Sequence, residues 1–298
     1  MMKFVNFKVN DQNSIGILQN DDYIVPLSSI LTSEHFSNMY DVIKFVDDDT
    51  IEKIKAFLAL KKQENITKYA LADVCLLAPI TRPIHDILCV GVNYQDHLAE
   101  AKERVKNFKK ENTETVYFGK RALNIIGTNQ AVKSCLEIDN ALDYEVELAV
   151  IIGKTGKNIA REDAEKYIFG YSIFNDFSSR RLQLKHMQWF KGKSLDTYSA
   201  MGPCILHKSA LPFPVEVDIK CSVNDELRQN SNTRLFLSDI PRIIEELSQG
   251  MTLEAGDIIA TGTPSGVGMG YKPGKWLKHG DKVVCEIEHI GKLVNFIE

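Results

Sequence analysis

Residues 143–153 read DYEVELAVIIG. In a strand alternate side chains share one face, so Glu145 and Glu147 point the same way, roughly 7 Å apart along the chain. The same face continues with Ala149 and Ile151. A solvent face would stay polar, and two carboxylates on a face that turns apolar need a partner, because burying unpaired charge is costly. A divalent cation meets that need, and hard Mg²⁺ or Mn²⁺ favours oxygen ligands. Two other arrangements satisfy the same spacing: a strand end that emerges into water, or a pair of Lys or Arg partners.

This run belongs to a series. From Ile87 onward the chain offers DILCVGV, EVELAVIIG, FGYSIFND, VEVDIKCSV, DIIATGT and DKVVCEIE, all strand-like. Helices are expected at 161–168, 179–187 and 238–250. The last has Ser238 or Asp239 as its cap, a proline just inside and Gly250 as its stop. Many strands with few helices predict a β-rich α+β domain rather than a doubly wound sheet.

Residues 1–78 read as a small unit of their own. KFVNFKV, SIGILQ and DYIVPL alternate as strands, and a helical stretch is expected from about Ser33 to Lys62. The segment carries no constellation of catalytic residue types, which suits a structural cap or a dimer element. PITRPIHDI, with two prolines, suits an extended connection into a larger domain over 79–298.

Composition narrows the function classes. The 298 residues carry a formal net charge of −4 and no long basic run, which argues against nucleic acid or an anionic membrane surface. No run approaches the roughly 18 apolar residues of a spanning helix, and the N-terminus lacks a secretory h-region. Cys75, Cys89, Cys135, Cys204, Cys221 and Cys285 are scattered, without a CxxC pair. That spacing fits reduced, buried thiols in the cytoplasm rather than a disulfide framework or a zinc site.

Four further stretches carry chemistry. In YSIFNDFSSRRLQ, Asp176 ends an apolar run before a helix, as a third carboxylate ligand or as a helix cap. In GVNYQDHLAEAK, His97 and Glu100 are neighbours on one helical turn. A carboxylate beside an imidazole raises its basicity and fixes its tautomer, as general-base catalysis requires; an exposed helix-surface pair has the same spacing. In QWFKGKSLD, Lys191 and Lys193 flank a glycine, and either a substrate contact or an ordinary surface lysine fits. IIATGTPSGVGMG is Gly-rich but matches neither a P-loop nor a Rossmann turn. Its backbone N–H groups suit the grip of a substrate carboxylate, or a plain structural turn.

Taken in order, DYEVELAVIIGKTGKNI, FGYSIFNDFSSRRLQ, QWFKGKSLDTYSAMGP and GMTLEAGDIIATGTPSGVG resemble the fumarylacetoacetate hydrolase family, from about Ile87 to the C-terminus. The resemblance implies a mixed β-sandwich roll with a small N-terminal α+β domain, assembled as a homodimer. It implies one Mg²⁺ or Mn²⁺ per subunit on Glu145, Glu147 and Asp176, and His97 with Glu100 as the pair that activates water. It places Arg180, Gln183, Lys193 and Lys120 around the substrate, Gln183 and Lys193 steadying an oxyanion, and Thr263 on the substrate carboxylate.

The implied chemistry is cleavage of a C–C bond in a small 2-keto acid, by acylpyruvate hydrolysis or oxaloacetate decarboxylation with release of pyruvate. Isomerisation of an unsaturated hydroxy-diacid uses the same enolate, and a binding or scaffold protein retaining the fold is a further alternative. The chain departs from the family pattern at Arg121, which follows Lys120 where proline is usual, and at Arg181, where aspartate is usual. The segment AKERVKNFKKENTET, in the family's lid region, is unusually basic.

Overall fold

The computed structural model describes residues 1–34, 36–60, 66–104 and 114–298. The long sheet runs in the order Tyr69–Ala70, Tyr23–Pro26, Gln12–Gln19, Lys3–Val9, Ser199–His207, Ile168–Asp176, Val146–Ile152, Ile258–Ala260, Ile87–Gly91, Val116–Lys120. Cys75–Leu76 pairs with Lys3–Val9 off this path. A second sheet runs Glu226–Asn232, Asp218–Val223, Lys282–Ile287, Gly291–Ile297, Ala131–Val132. Most pairings are antiparallel; Ile258–Ala260 with Ile87–Gly91, and Gly291–Ile297 with Ala131–Val132, are parallel. The expected β-rich, mixed α+β architecture is what forms.

The central strands Val146–Ile152, Ile168–Asp176 and Ser199–His207 are buried along their whole length. Their two faces feed two apolar clusters. Val146, Leu148, Val150 and Ile152 pack in one cluster with Ile219, Val283, Ile287 and Leu293 of the second sheet. Ala149 and Ile151 belong to the other, with Phe4, Ile17, Val42, Ile51 and Ile54 from the N-terminal segment. The face that begins with Glu145 and Glu147 therefore does turn into core, as strand alternation requires.

The N-terminal strands form where alternation places them, at Lys3–Val9, Gln12–Gln19 and Tyr23–Pro26. Lys3 and Phe4 pair with Leu206 and Ile205, so these strands extend the long sheet. The single helix expected over 33–62 is instead two, Met39–Phe45 and Asp48–Ala59. The break has a local cause: Asp47 accepts the Thr50 N–H and starts a new helix. The first helix is opened by a capping box between Asn38 and Asp41. Lys61 and Lys62, at the end of the expected helix, lie outside the described residues.

Further along, the stretch expected at 161–168 is a 3₁₀ helix, Arg161–Tyr167. Arg180–Lys185 is a short α-helix, and Ile240–Ser248 is capped by Asp239 with proline in its first turn. No helix among the described residues is long and apolar enough to cross a membrane.

Candidate active site

Register explains the core of the site. Val146 faces Asn175 across the antiparallel pair, and the Asp176 N–H donates to the Glu145 carbonyl at 2.9 Å. Asp176 therefore stands beside Glu145, with Glu147 two residues along the same face. Carboxylate oxygens of Glu145, Glu147 and Asp176 lie within 4.8 Å of one another, and all three residues are buried. Asp176 is not the helix cap; Ser179 holds that position and makes no side-chain cap bond.

Cations surround two of the three acids. Lys193 Nζ donates to Glu145 Oε2 at 2.6 Å and to Asp176 Oδ2 at 2.7 Å. Lys120 Nζ donates to Asp176 Oδ1 at 2.5 Å and to the Phe177 carbonyl at 3.0 Å. Arg180 Nη2 lies 2.6 Å from Glu145 Oε1, an ion pair too far off axis to count as a hydrogen bond. Its Nε donates to Asp143 at 2.8 Å and its Nη1 to Gln183 Oε1 at 3.0 Å. Among the described residues Glu147 has no such cation. Its Oε2 accepts the Gly262 N–H at 2.8 Å.

This asymmetry splits the two glutamates. Burial pushes the Glu145 carboxyl up, but Lys193 and Arg180 outweigh burial and hold it at about 2. Burial, reinforced by Asp176 and Glu145, drives Glu147 well above the carboxylate range. Burial also lowers the Lys120 ammonium, only partly offset by Asp176. For Lys193 the carboxylates win over burial and the pKa rises.

The cavity beside this network is lined by His97, Glu100, Glu145, Glu147, Arg180, Gln183, Lys193 and Thr263, with Val90, Val92, Phe118, Leu184, Trp189 and Met269 as its apolar wall. His97 and Glu100 sit on the helix Gln95–Arg104, with Nδ1 of His97 2.8 Å from Glu100 Oε2. Trp189 packs over Gly91, where a methyl group would collide with its ring, and meets Phe118 edge-on at 5.1 Å.

Most of the expected site residues thus converge, with three differences, the first being that Asp176 joins the two glutamates but is fully buried and is not part of the cavity wall. Lys120 was expected around the substrate, but it is fully buried behind Asp176 and is not part of the cavity wall. Thr263 lines the cavity, yet its hydroxyl donates to the Val146 carbonyl at 2.9 Å. The same oxygen accepts from Gln229 Nε2 at 2.8 Å. Arg181 is exposed, and the Arg180–Asp143 ion pair forms beside it. Of the basic lid segment 101–115, residues 105–113 lie outside the described residues.

Sequence reading missed three supports. Asp143 accepts the N–H groups of Gly268 at 2.6 Å and Met269 at 3.0 Å, besides Arg180, and so ties the Gly-rich turn to the chain just ahead of Glu145. Asn175 Oδ1 accepts the Glu145 N–H at 3.0 Å. Gln229, from the second sheet, reaches the same turn. Asp143 stands one residue ahead of the YEVE run, and that adjacency was its only signal.

A metal fits these residues on their chemistry. The donor set is three carboxylates, with neither thiol nor imidazole, which suits a hard cation. The cavity and its ion-pair network set five acids, Glu100, Asp143, Glu145, Glu147 and Asp176, against three cations, Lys120, Arg180 and Lys193, so ionising Glu147 as well would leave negative charge in excess. Glu147, the acid without an ion pair among the described residues, is where added positive charge would relieve the most repulsion.

Fold and site define a member of the fumarylacetoacetate hydrolase family: residues 86–298 match the family model for the fumarylacetoacetate (FAA) hydrolase C-terminal domain, and the chain belongs to that family. It is 47% identical over 229 residues to the oxaloacetate tautomerase YisK of Bacillus subtilis, covering 77% of this chain and 75% of that protein. The fumarylacetoacetate hydrolase of Exiguobacterium antarcticum superposes with a TM-score of 0.82 at 36% identity, over 100% of this chain and 99% of that one. Maleylpyruvate hydrolase from Sphingobium sp. SYK-6, solved with manganese(II) and pyruvate, gives a TM-score of 0.77 at 28% identity, over 99% and 98%.

Proposed function

We propose that this protein is a metal-dependent enzyme acting on a small 2-keto acid through its enolate, with keto–enol interconversion of oxaloacetate as its reaction. The observation that carries the reading is that Glu145 and Glu147 line one cavity with the His97–Glu100 pair, while Asp176, buried behind that wall, completes a cluster of three carboxylates. Glu145, Glu147 and Asp176 would hold one Mg²⁺ or Mn²⁺. That cation supplies positive charge where an oxyanion develops on the 2-keto group.

The chain's own residues do the rest. With Nδ1–H donated to Glu100, the neutral His97 presents Nε2 as the base that takes a proton from C3 and returns it to oxygen. Lys193, fixed between Glu145 and Asp176, pairs with both acids and holds them together. Gln183 and Thr263 line the cavity and would meet the substrate's oxygens there. The resemblance to a tautomerase acting on oxaloacetate supports this choice of substrate.

A second reading is cleavage of a C–C bond with release of pyruvate, by acylpyruvate hydrolysis or oxaloacetate decarboxylation. The same His97 Nε2 would activate water for hydrolysis, and the likeness to maleylpyruvate hydrolase favours it.

The test loads the protein with Mn²⁺ and follows two signals, each after subtracting the metal-only rate. One is decay of the enol absorbance of oxaloacetate; the other is pyruvate released from oxaloacetate and from acetylpyruvate. Enol decay without pyruvate supports the tautomerase. Pyruvate formation at a comparable or faster rate supports cleavage. No turnover of either, with no Mn²⁺-induced thermal shift, leaves a scaffold that retains the fold.

A further inference from the structure

Gln229 lies on the strand Glu226–Asn232 of the second sheet, fully buried. All of its amide's principal bonds go to the two segments that build the site. Its Oε1 accepts the N–H of Val146 at 3.1 Å, the residue between the two glutamates. Its Nε2 donates to Thr263 Oγ1 at 2.8 Å and to the Pro264 carbonyl at 2.8 Å. The Thr263 hydroxyl passes the link on, donating to the Val146 carbonyl. One side chain thus closes a ring between the ligand strand and the Gly-rich turn.

The backbone around Gln229 is shaped for this reach. Cys221 pairs with Gln229, but the next pair is Ser222 with Leu227, so Arg228 is an extra residue, a bulge. A bulge re-aims the neighbouring side chain out of the regular ladder. The turn seats directly on it: Gly266, at φ +97°, has no room for a Cβ against the Arg228 carbonyl.

We infer that Gln229 is a positioning residue. Its hydrogen bonds go to none of the three acids and it is not part of the cavity wall; it holds the turn residues Gly262 and Thr263 at a fixed distance from Glu145 and Glu147. This deepens the enolate reading and rests on it for the identity of the substrate, but the geometry it fixes is measurable without turnover.

The experiment compares Gln229→Leu, Gln229→Glu and Thr263→Val with the unmodified full chain. Leucine has similar bulk and no polar atoms. Glutamate keeps the acceptor for Val146 but loses the donors to Thr263 and Pro264. Valine removes the hydroxyl that relays the link. The readouts are calorimetric binding of Mn²⁺, calorimetric binding of oxalate (a planar mimic of a keto-acid enolate) to the Mn²⁺-loaded protein, and KM against kcat for oxaloacetate.

Oxalate affinity and KM are expected to worsen by about tenfold, the equivalent of one misplaced hydrogen bond. Mn²⁺ affinity should change by less than about threefold, because the acids remain on their strands. Combining Gln229→Leu with Thr263→Val should add little to either single change, since both break one ring. A merely structural role would lower thermal stability and leave oxalate affinity unchanged below the melting transition; that result overturns the inference. If Gln229→Leu does not fold, Thr263→Val with unaltered oxalate affinity overturns it equally. If the unmodified protein shows no turnover yet the variants lose oxalate affinity, the positioning role stands and the oxaloacetate assignment falls.

Discussion

The two oxygens of the Glu100 carboxylate face different partners: Oε2 lies 2.8 Å from His97 Nδ1, and Oε1 accepts the Gly266 N–H at 3.1 Å. The helix Gln95–Arg104 is thereby pinned to the Gly-rich turn through the residue that orients the imidazole. Glu100→Gln would leave His97 in place but deprive it of its charged partner. We expect turnover to fall by about 10²- to 10⁴-fold, the usual worth of a positioned acid–base group, with the Mn²⁺-induced thermal shift intact. Gly270→Ala should act the same way, because a methyl group there collides with the Glu100 carboxylate. Normal turnover in both variants would remove the pair from the mechanism.

Glu147 is the acid that repulsion and burial work against, and its partner is the Gly262 N–H alone among the described residues. Glu147→Gln keeps the shape and removes the charge. The metal-free variant should be at least as stable as the parent, by up to about 1 kcal/mol. Calorimetry should show that it no longer takes up Mn²⁺, whereas a chelator lowers the melting temperature of the metal-loaded parent. Equal Mn²⁺ affinity in parent and variant would exclude Glu147 as a ligand.

Lys120, buried behind Asp176, is expected to matter for stability. Lys120→Met leaves Asp176 with Lys193 alone and the Phe177 carbonyl without its donor. Breaking a buried pair on one side costs about 3 kcal/mol or more, and urea unfolding should read that loss in the metal-free protein. A change under about 0.5 kcal/mol would mean that Lys193 alone suffices.

His207 supplies a pH dependence away from the site. Its Nδ1 accepts the Ser209 N–H at 3.3 Å, and its ring meets Phe169 edge-on at 5.3 Å. Burial holds the imidazole down at about 4, against roughly 6.5 in an unfolded chain. Between those values the unfolded chain binds the proton and the folded one refuses it. Stability is therefore full above about pH 6.5 and declines as pH falls toward 4, by about 3 kcal/mol at most. His207→Gln should flatten that part of the stability–pH curve; an unchanged slope would assign the acid sensitivity elsewhere.

How much of this was legible depended on range. Glu145, Glu147 and the apolar continuation through Ala149 and Ile151 follow from alternation within one strand, and His97 with Glu100 from one helical turn. These are local rules, and the structure obeys them. Asp176 needed the antiparallel register to bring it beside Glu145, which no local pattern specifies. Gln229 and Asp143 act across 34 and 125 residues, on Thr263 and Gly268, and in sequence each looks like an ordinary polar residue. That Lys120 lies buried behind Asp176 was not legible, because a lysine buried behind an acid and one facing a ligand look identical in sequence. The break before Asp48 was visible as a run of aspartates, but capping had to win over apolar spacing for it to matter.

The Gly-rich turn comes late in the chain, yet Glu147, Asp143 and Glu100 each take an N–H from it. During synthesis, which runs from the N-terminus, every acid of the cluster and the whole His97 helix emerge before that turn exists. A product terminated near residue 260 would carry all three candidate ligands, but it would lack the amides that hold Glu147 and Glu100 in position. Assembly of the site therefore waits for residues 262–268, although every acid of the cluster has been made long before them.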